Sequence, residues 1–343
     1  MFQNKEEYRK QSIQNNFEKG GLPIGTIRNG SKKIADTGGK GDWVSVKDIE
    51  KKEEIHAKVE VTEAEIDAYE ESITPPAVGQ RWDAYELFCN MVATGATKSL
   101  VAFGTGGVGK TFVSQQVFEK LGLREFDEDT MSLNDTDDYD WVKITGSASA
   151  STVYKALFEF NGKTLVFDDC DTALKDATAV DFFKGALDSS GNGGISYSPT
   201  QPIKTDRITT KTNFTPSGIS ILPNRFKFTG SVIFISNMPP DKIPQPLIDS
   251  RCLSVDLSMT ADETIDRIKN ILPKMDIKDA KGNSLGATPE DKQLAVEFLD
   301  KYKDKIRAGK LNARTLGNII KVIHSSRNIN SDWEPAALTL LAN

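Results

Sequence analysis

From residue 81 onward the chain alternates between two hydrophobic patterns. Short apolar runs at Leu100-Val101-Ala102-Phe103, Trp141-Val142-Lys143-Ile144, Thr164-Leu165-Val166-Phe167, Val232-Ile233-Phe234-Ile235 and Leu253-Ser254-Val255 predict buried strands. Between them, apolar residues recur every three or four positions, the spacing of a helix that buries one face. Helices are expected near 81–94, from Lys110 (Val113, Val117, Phe118 and Leu121 on one face, Gly122 as the stop), around Val153, Leu157 and Phe160, and over 175–188 with Val180, Phe183 and Leu187. Strands alternating with helices predict an α/β fold whose parallel sheet is covered on both faces. Beyond 260 the strand pattern stops, and helices near 261–273, 289–303, 313–325 and 333–342 predict a small all-helical domain.

Residues 1–75 follow neither pattern, with 12 basic and 15 acidic residues and few large apolar ones. Gly25–Arg28 and Trp43–Val46 are expected as two short strands around a Gly/Lys-rich stretch. Thr62-Glu63-Ala64-Glu65 has the form of a capping box opening a short helix that Pro75-Pro76 ends. The expected organisation is an accessory arm (1–75), a core (76–259) and a helical domain (260–343).

Charge changes this picture in two places. The net charge of −6 over 343 residues excludes a globally basic protein that coats nucleic acid. Residues 125–142 hold eight acidic residues and no basic one, which predicts a solvated loop on the face opposite the strand ends that carry the chemistry. Residues 203–227 hold five basic residues and one acidic. Here Ile203–Lys211 alternates apolar or Thr residues with charges, predicting a basic β-hairpin within an insert at about 195–228. No apolar run spans a membrane, and the N-terminus lacks a secretory core, so a cytoplasmic protein (host cytoplasm if phage-encoded) is expected. Three scattered cysteines and two histidines match no zinc or redox spacing.

The sharpest chemical signal is Gly104-Thr105-Gly106-Gly107-Val108-Gly109-Lys110-Thr111, a full G-x-x-x-x-G-K-[ST] match between a strand and a helix. Glycines let backbone N–H groups turn toward phosphate oxygens at the positive helix end. Lys110 neutralises β/γ-phosphate charge, and the Thr111 hydroxyl ligates Mg²⁺. ATP and Mg²⁺ are therefore the expected ligands. A second signal, Asp168-Asp169, ends an apolar strand in paired carboxylates, one for the metal shell (Asp168) and one for the attacking water (Asp169). Asp171 nearby is expected to be solvated. Asn237 ends the fourth strand, where an amide can sense the γ-phosphate. Arg251, just ahead of the last strand, is a candidate finger for a neighbouring subunit's phosphate. Arg314 opens a helix at the end where a cation is electrostatically unfavourable, so a phosphate contact would explain it.

In this succession the features resemble the AAA+ ATPase family over about residues 76–343, with an overall likeness to members carried by tailed bacteriophages. The resemblance implies a five-stranded core with a helical lid, and a homo-oligomeric ring, typically a hexamer. It assigns Walker A to Gly104–Thr111, Walker B to Asp168 and Asp169, sensor 1 to Asn237, the arginine finger to Arg251 and sensor 2 to Arg314. Most of the family place Glu where this chain has Asp169, whose carboxylate is one methylene shorter. Paired aspartates are similar to superfamily 3 viral helicases, and Ser250-Arg251-Cys252 is similar to clamp-loader subunits.

The loop Thr145–Ser151 carries no aromatic residue to grip a polypeptide. The basic insert sits where superfamily 3 helicases carry a strand-tracking hairpin. Lys204, Arg207 and Lys211 are then the candidate phosphate contacts to nucleic acid, single-stranded DNA first, with Phe214 able to stack a base. A protein-remodelling or clamp-loader-like ATPase, and a slowly turning-over regulator, stay open as alternatives. No N-K-x-D base-reading motif supports a GTPase.

Overall fold

A computed structural model describes residues 27–28, 31–37, 40–45, 76–188, 193–329 and 331–342. The chain divides into two compact units, 1–75 and 76–343. Within the first, β1 (Ile27–Arg28), β2 (Ser31–Thr37) and β3 (Lys40–Ser45) form an antiparallel sheet in that order. The stretch expected to separate two strands is itself a strand, β2, which pairs along β3 with a register shift between Lys33 and Ala35. The helix expected from Thr62 lies outside the described residues.

The second unit is built on β4 (Ser99–Phe103), β5 (Trp141–Thr145), β6 (Thr164–Asp168), β11 (Ser231–Ile235) and β12 (Leu253–Asp256). These strands pair in parallel in the order β12-β4-β11-β6-β5. Alternation along each strand sends side chains to two separate cores. Phe167 and Phe234 face one core with Phe183, whose ring meets theirs edge-on at 5.3 and 4.7 Å. Val166, Ile233 and Ile235 face the other, with Trp82, Tyr85 and Phe118. Helices α1 (Val78–Ala93) and α2 (Lys110–Lys120) cover that second face. Helices α3 (Ala150–Glu159), α4 (Asp171–Lys175) and α5 (Ala177–Ala186) cover the first. The helix expected over 175–188 forms as α5 over Ala177–Ala186. Asp176 sets its start, accepting hydrogen bonds from the N–H groups of Thr178 and Ala179, and separates it from α4.

Four strands lie in the insert before β11: β7 (Gly194–Ser196), β8 (Asn213–Phe214), β9 (Ser220–Ile221) and β10 (Arg225–Lys227), pairing as β7·β10 and β8·β9. The strand expected at 203–211 is reduced to one bridge, Lys204 to Ile221. Of its threonines, Thr205 donates its hydroxyl to the buried Glu159 at 2.7 Å, and Thr209 enters a turn with the neighbouring Thr212. Thr212 Oγ1 donates to the Arg207 carbonyl and accepts from Thr209 N–H at 2.9 Å, closing a turn.

The acidic segment exposes most of its carboxylates, as expected, and leads into the start of β5. Its main chain is also held against the insert, with Asn134 Nδ2 donating to Asp206 O (3.0 Å) and its Oδ1 accepting from Ile208 N–H (2.8 Å). Arg207 donates to Leu133 O, and Lys163 donates to Tyr139 O at 2.6 Å and to Thr136 O. Cations that complement the carboxylate-rich segment thus grip its main chain, and Tyr139 is fully buried beneath it.

After a short α6 (Gln245–Ile248) and β12, helices α7 (Ala261–Ile271), α8 (Pro289–Tyr302), α9 (Ala313–Ile329) and α10 (Glu334–Ala342) share a third core around Ile265, Val296, Leu299, Ile319 and Ile320. Thr260 with Glu263 and Thr288 with Asp291 form reciprocal capping boxes for α7 and α8.

Replacing Asn134 with Ala removes its two bonds to the insert and leaves the Arg207–Leu133 bond. A loss of about 1–2 kcal/mol in urea unfolding is expected, with faster hydrogen exchange over 125–140 and 203–212 and unchanged protection in the parallel sheet.

Candidate nucleotide site

Parallel pairing puts the C-terminal ends of β4, β6 and β11 side by side, with Ile235 registered against both Ala102 and Asp168. The loop from Gly104 to Thr111 therefore opens beside the Asp168-Asp169 pair and beside Asn237. Gly104 takes φ +124°, and a Cβ there would lie 2.4 Å from Ser258 N, so only glycine lets the exit of β12 pass this close. Gly107 (φ +71°) packs under Asn312, and Gly109 (φ +102°) is the left-handed cap from which α2 begins. Gly106 lies under the Asn237 amide, where a Cβ would be 3.2 Å from Oδ1. Val108 is buried in the core and anchors the loop, and Thr105 Oγ1 accepts from Met259 N–H at 3.3 Å.

Lys110 is 5% exposed. Its Nζ donates to Gly104 O and Thr105 O, both at 2.8 Å, and to Asn237 Oδ1 at 2.9 Å. Burial lowers its pKa to about 8, while Asp169, Asp168 and Asp171 pull the other way. Thr111 Oγ1 donates to Asp168 Oδ2 at 2.9 Å. Burial also pushes the Asp168 carboxyl up, opposed by the Thr111 hydroxyl bond, with the neighbouring Asp169 charge adding to the rise. Asp169 is the single non-glycine residue with positive φ (55°) among the described residues. Its Oδ1 accepts from Asn237 Nδ2 at 2.5 Å. Arg314 is exposed on α9, and its neighbour Ala313 donates its N–H to Gly107 O at 3.0 Å.

Lys110, Thr111, Asp168, Asp169, Asn237 and Arg314 thus line one cleft of about 230 Å³. A hydroxyl and a carboxylate within hydrogen-bond reach suit Mg²⁺, which takes one or two protein oxygens and completes its shell with phosphates and water. Among the described residues no group of three or more His, Cys, Asp or Glu could hold a metal unaided. The fit is to a cation that arrives with its phosphates.

Other predicted residues lie elsewhere. Ser99, the first residue of β4, donates its hydroxyl to Arg251 O at 2.7 Å, which fixes Arg251 at the opposite end of the sheet from the loop. One five-residue strand of roughly 16 Å separates them, so Arg251 does not serve its own chain's cleft. Lys204 and Lys211 are exposed on the insert, and Arg207 is half-buried, its guanidinium engaged with Leu133 O.

Three braces escaped the sequence reading. Asp171 is half-buried rather than solvated, accepting from Ser236 Oγ at 2.6 Å, and that hydroxyl in turn accepts from Met238 N–H. Thr172 Oγ1 accepts from Ala148 N–H at 2.9 Å, tying the loop after β5 to α4. The third acid of Asp168-Asp169-Cys170-Asp171 was the available signal for the first brace. The fully buried Tyr85, whose hydroxyl donates to Lys110 O, gave none.

An ammonium whose pKa is lowered, and which a phosphate recharges, links affinity to pH. Nucleotide affinity should be flat to about pH 7 and fall above pH 8, by roughly thirtyfold at pH 9.5, in isothermal titrations. Stability of the free protein has the opposite slope from this group. The unfolded chain binds more protons between about pH 8 and 10.5, so the burial penalty is relieved as pH rises through that window. A Lys110→Met variant should lose both trends.

No protein-family model matches the chain. It is 23% identical over 311 residues to the uncharacterized 36.7 kDa protein in the nrdC-mobD intergenic region of Enterobacteria phage T4, covering 87% of this chain and 82% of that one. Among solved structures it is similar to NtrX from Brucella abortus in complex with ATP, at 12% identity and a TM-score of 0.42 over 84% of this chain. It is also similar to a mutant form of Thermotoga maritima RuvB (12%, TM-score 0.40, 76% of this chain) and to Aeropyrum pernix ORC1 in complex with DNA (11%, TM-score 0.40, 78%). The chain spans 59% of that NtrX chain, 68% of the RuvB chain and 65% of the ORC1 chain.

Proposed function

We propose that this chain is an ATP-hydrolysing motor of the AAA+ kind, working as a head-to-tail ring on nucleic acid. One observation carries the hydrolytic part: six side chains from four separate segments, Lys110, Thr111, Asp168, Asp169, Asn237 and Arg314, line the same cleft at the strand ends. Lys110 leaves its loop carbonyls to bind β- and γ-phosphate oxygens, and Arg314 reaches the γ-phosphate from α9. Thr111 and Asp168 would hold Mg²⁺, which when bound would supply neutralisation of phosphate charge. Asp169 accepts a proton from the attacking water, and the Asn237 amide, already bonded to Asp169, orients both. Arg251, a strand length from its own cleft, acts on the nucleotide of a second copy, which makes hydrolysis depend on assembly.

The nucleic-acid part rests on the insert, whose Lys204 and Lys211 are exposed and whose Phe214 is 57% exposed beside them in sequence. Arg207 positions the insert instead of contacting the ligand.

Asp169→Asn should retain ATP binding and lose hydrolysis by about a hundredfold or more. Single-stranded DNA should raise the wild-type rate, and a Lys204→Ala/Lys211→Ala double variant should lose that stimulation while keeping its basal rate. No stimulation by any nucleic acid would remove the nucleic-acid assignment, and stimulation by an unfolded protein would replace it.

A further inference from the structure

Three cations outside the nucleotide cleft line a second, larger one of about 630 Å³, walled by Lys184, Gly185, Asp188, Gly194, Arg225 and Arg251. Lys184 comes from the last turn of α5, Arg225 from β10, and Arg251 from the approach to β12. Their meeting has a local cause. A Cβ on Gly185 would lie 2.8 Å from Gly194 O, so helix and ribbon approach more closely than any side chain at that position would allow. Ile195 and Phe226, directly paired across the ribbon, are buried, and the two-residue period puts Arg225 on the open face. Arg251 Nε donates to Lys184 O at 3.1 Å and Nη1 to Ser250 Oγ at 3.0 Å, which fixes its guanidinium over the end of α5. Lys184 Nζ meets Asp181 at 2.8 Å, an exposed one-turn pair of the kind that contributes little and yields to a stronger anion. Among the described residues Asp188 is the one carboxylate in the wall, against the three cations.

We propose that this cleft binds the terminal phosphate of a nucleotide held by a second copy of the chain, with Lys184 and Arg225 acting beside Arg251. The proposal rests on the nucleotide-hydrolysing reading above and adds two residues, one of them on the insert. Two guanidinium forks and an ammonium around one cleft suit a compact dianion. A nucleic-acid backbone instead calls for cations spaced along a path. The phosphate comes from another copy because the cleft borders Arg251, a strand length from the chain's own loop. Since β7 and β10 are the base of the insert, a phosphate seated on Arg225 also sets the insert's position, so each insert responds to the nucleotide of its neighbour.

The test mixes two full-length variants, Lys184→Gln/Arg225→Gln (cleft removed, loop intact) and Lys110→Ala (cleft intact, loop disabled). A fluorescent ATP analogue first establishes that wild type and the cleft variant bind nucleotide. If wild type neither binds nor hydrolyses ATP, the underlying hydrolytic reading has failed, separately from the present one. Each variant alone should hydrolyse ATP at a few per cent of the wild-type rate. An equimolar mixture should recover about a quarter of it, the fraction of head-to-tail contacts that pair a working loop with an intact cleft. Lys227→Gln, an exposed cation on the same strand outside the cleft, should keep the wild-type rate. Should the double variant melt early, Arg225→Lys replaces it, with partial loss expected alone and, on mixing with Lys110→Ala, about a quarter of the wild-type rate plus about a quarter of the variant's own rate. Wild-type turnover by the cleft variant overturns the proposal. So does a mixture that stays inactive, and so does a cleft variant that hydrolyses normally yet no longer binds a single-stranded oligonucleotide, which would make the cleft a nucleic-acid site.

Discussion

The structure of the nucleotide cleft depends on keeping one ammonium group out of water. Lys110 is buried among the glycine loop's carbonyls, and burial of a charge is tolerated only where hydrogen bonds replace its hydration. Its third acceptor, the Asn237 oxygen, obliges the same amide to turn its nitrogen toward Asp169. Lysine, amide and carboxylate therefore form a single hydrogen-bonded chain between the glycine-rich loop and the end of β6. On the function proposed above, a phosphate that draws the lysine away takes one acceptor's partner with it and frees the amide to reorient, which joins sensing to chemistry through one side chain.

Around that chain the fold supplies stiffness. Ser236 and Asp171 tie the end of β11 to the start of α4, and Thr172 continues the tie to the backbone of Ala148. The route runs from the end of β11 to the loop after β5, through buried Ser236, half-buried Asp171 and exposed Thr172, with no long flexible side chain along it. Polar groups sheltered in this way hold one arrangement because leaving any of them unpaired costs about 1–3 kcal/mol.

The parallel sheet was legible because its strands are buried on both faces and so run as unbroken apolar segments such as Leu165-Val166-Phe167. The phosphate loop was legible because backbone geometry there restricts residue choice, as Gly104 and Gly109 illustrate. What stayed hidden was long-range polar pairing. Asp171 looks solvated until Ser236, 65 residues away, arrives beside it. Arg207 looks like a free cation until the acidic segment presents Leu133 O. The alternation at Ile203–Lys211 misled because threonine, common in strands, can also satisfy its own backbone, and Thr209 and Thr212 do so. Segment-wise charge suggested acidic and basic regions kept apart; in the fold they are fastened to each other.

The bond from Ala313 N–H to Gly107 O has a mechanical meaning. It pins the first residue of α9 to the phosphate loop, and α9 is 17 residues long, about 25 Å of rigid rod. A tilt of about 10° at the pinned end carries the far end through about 4 Å over that length. The helical domain packs along this rod through Ile319, Ile320 and Ile323, so any tilt of the rod would be shared by the whole domain. A small change at Gly107 would thereby be magnified along the length of α9.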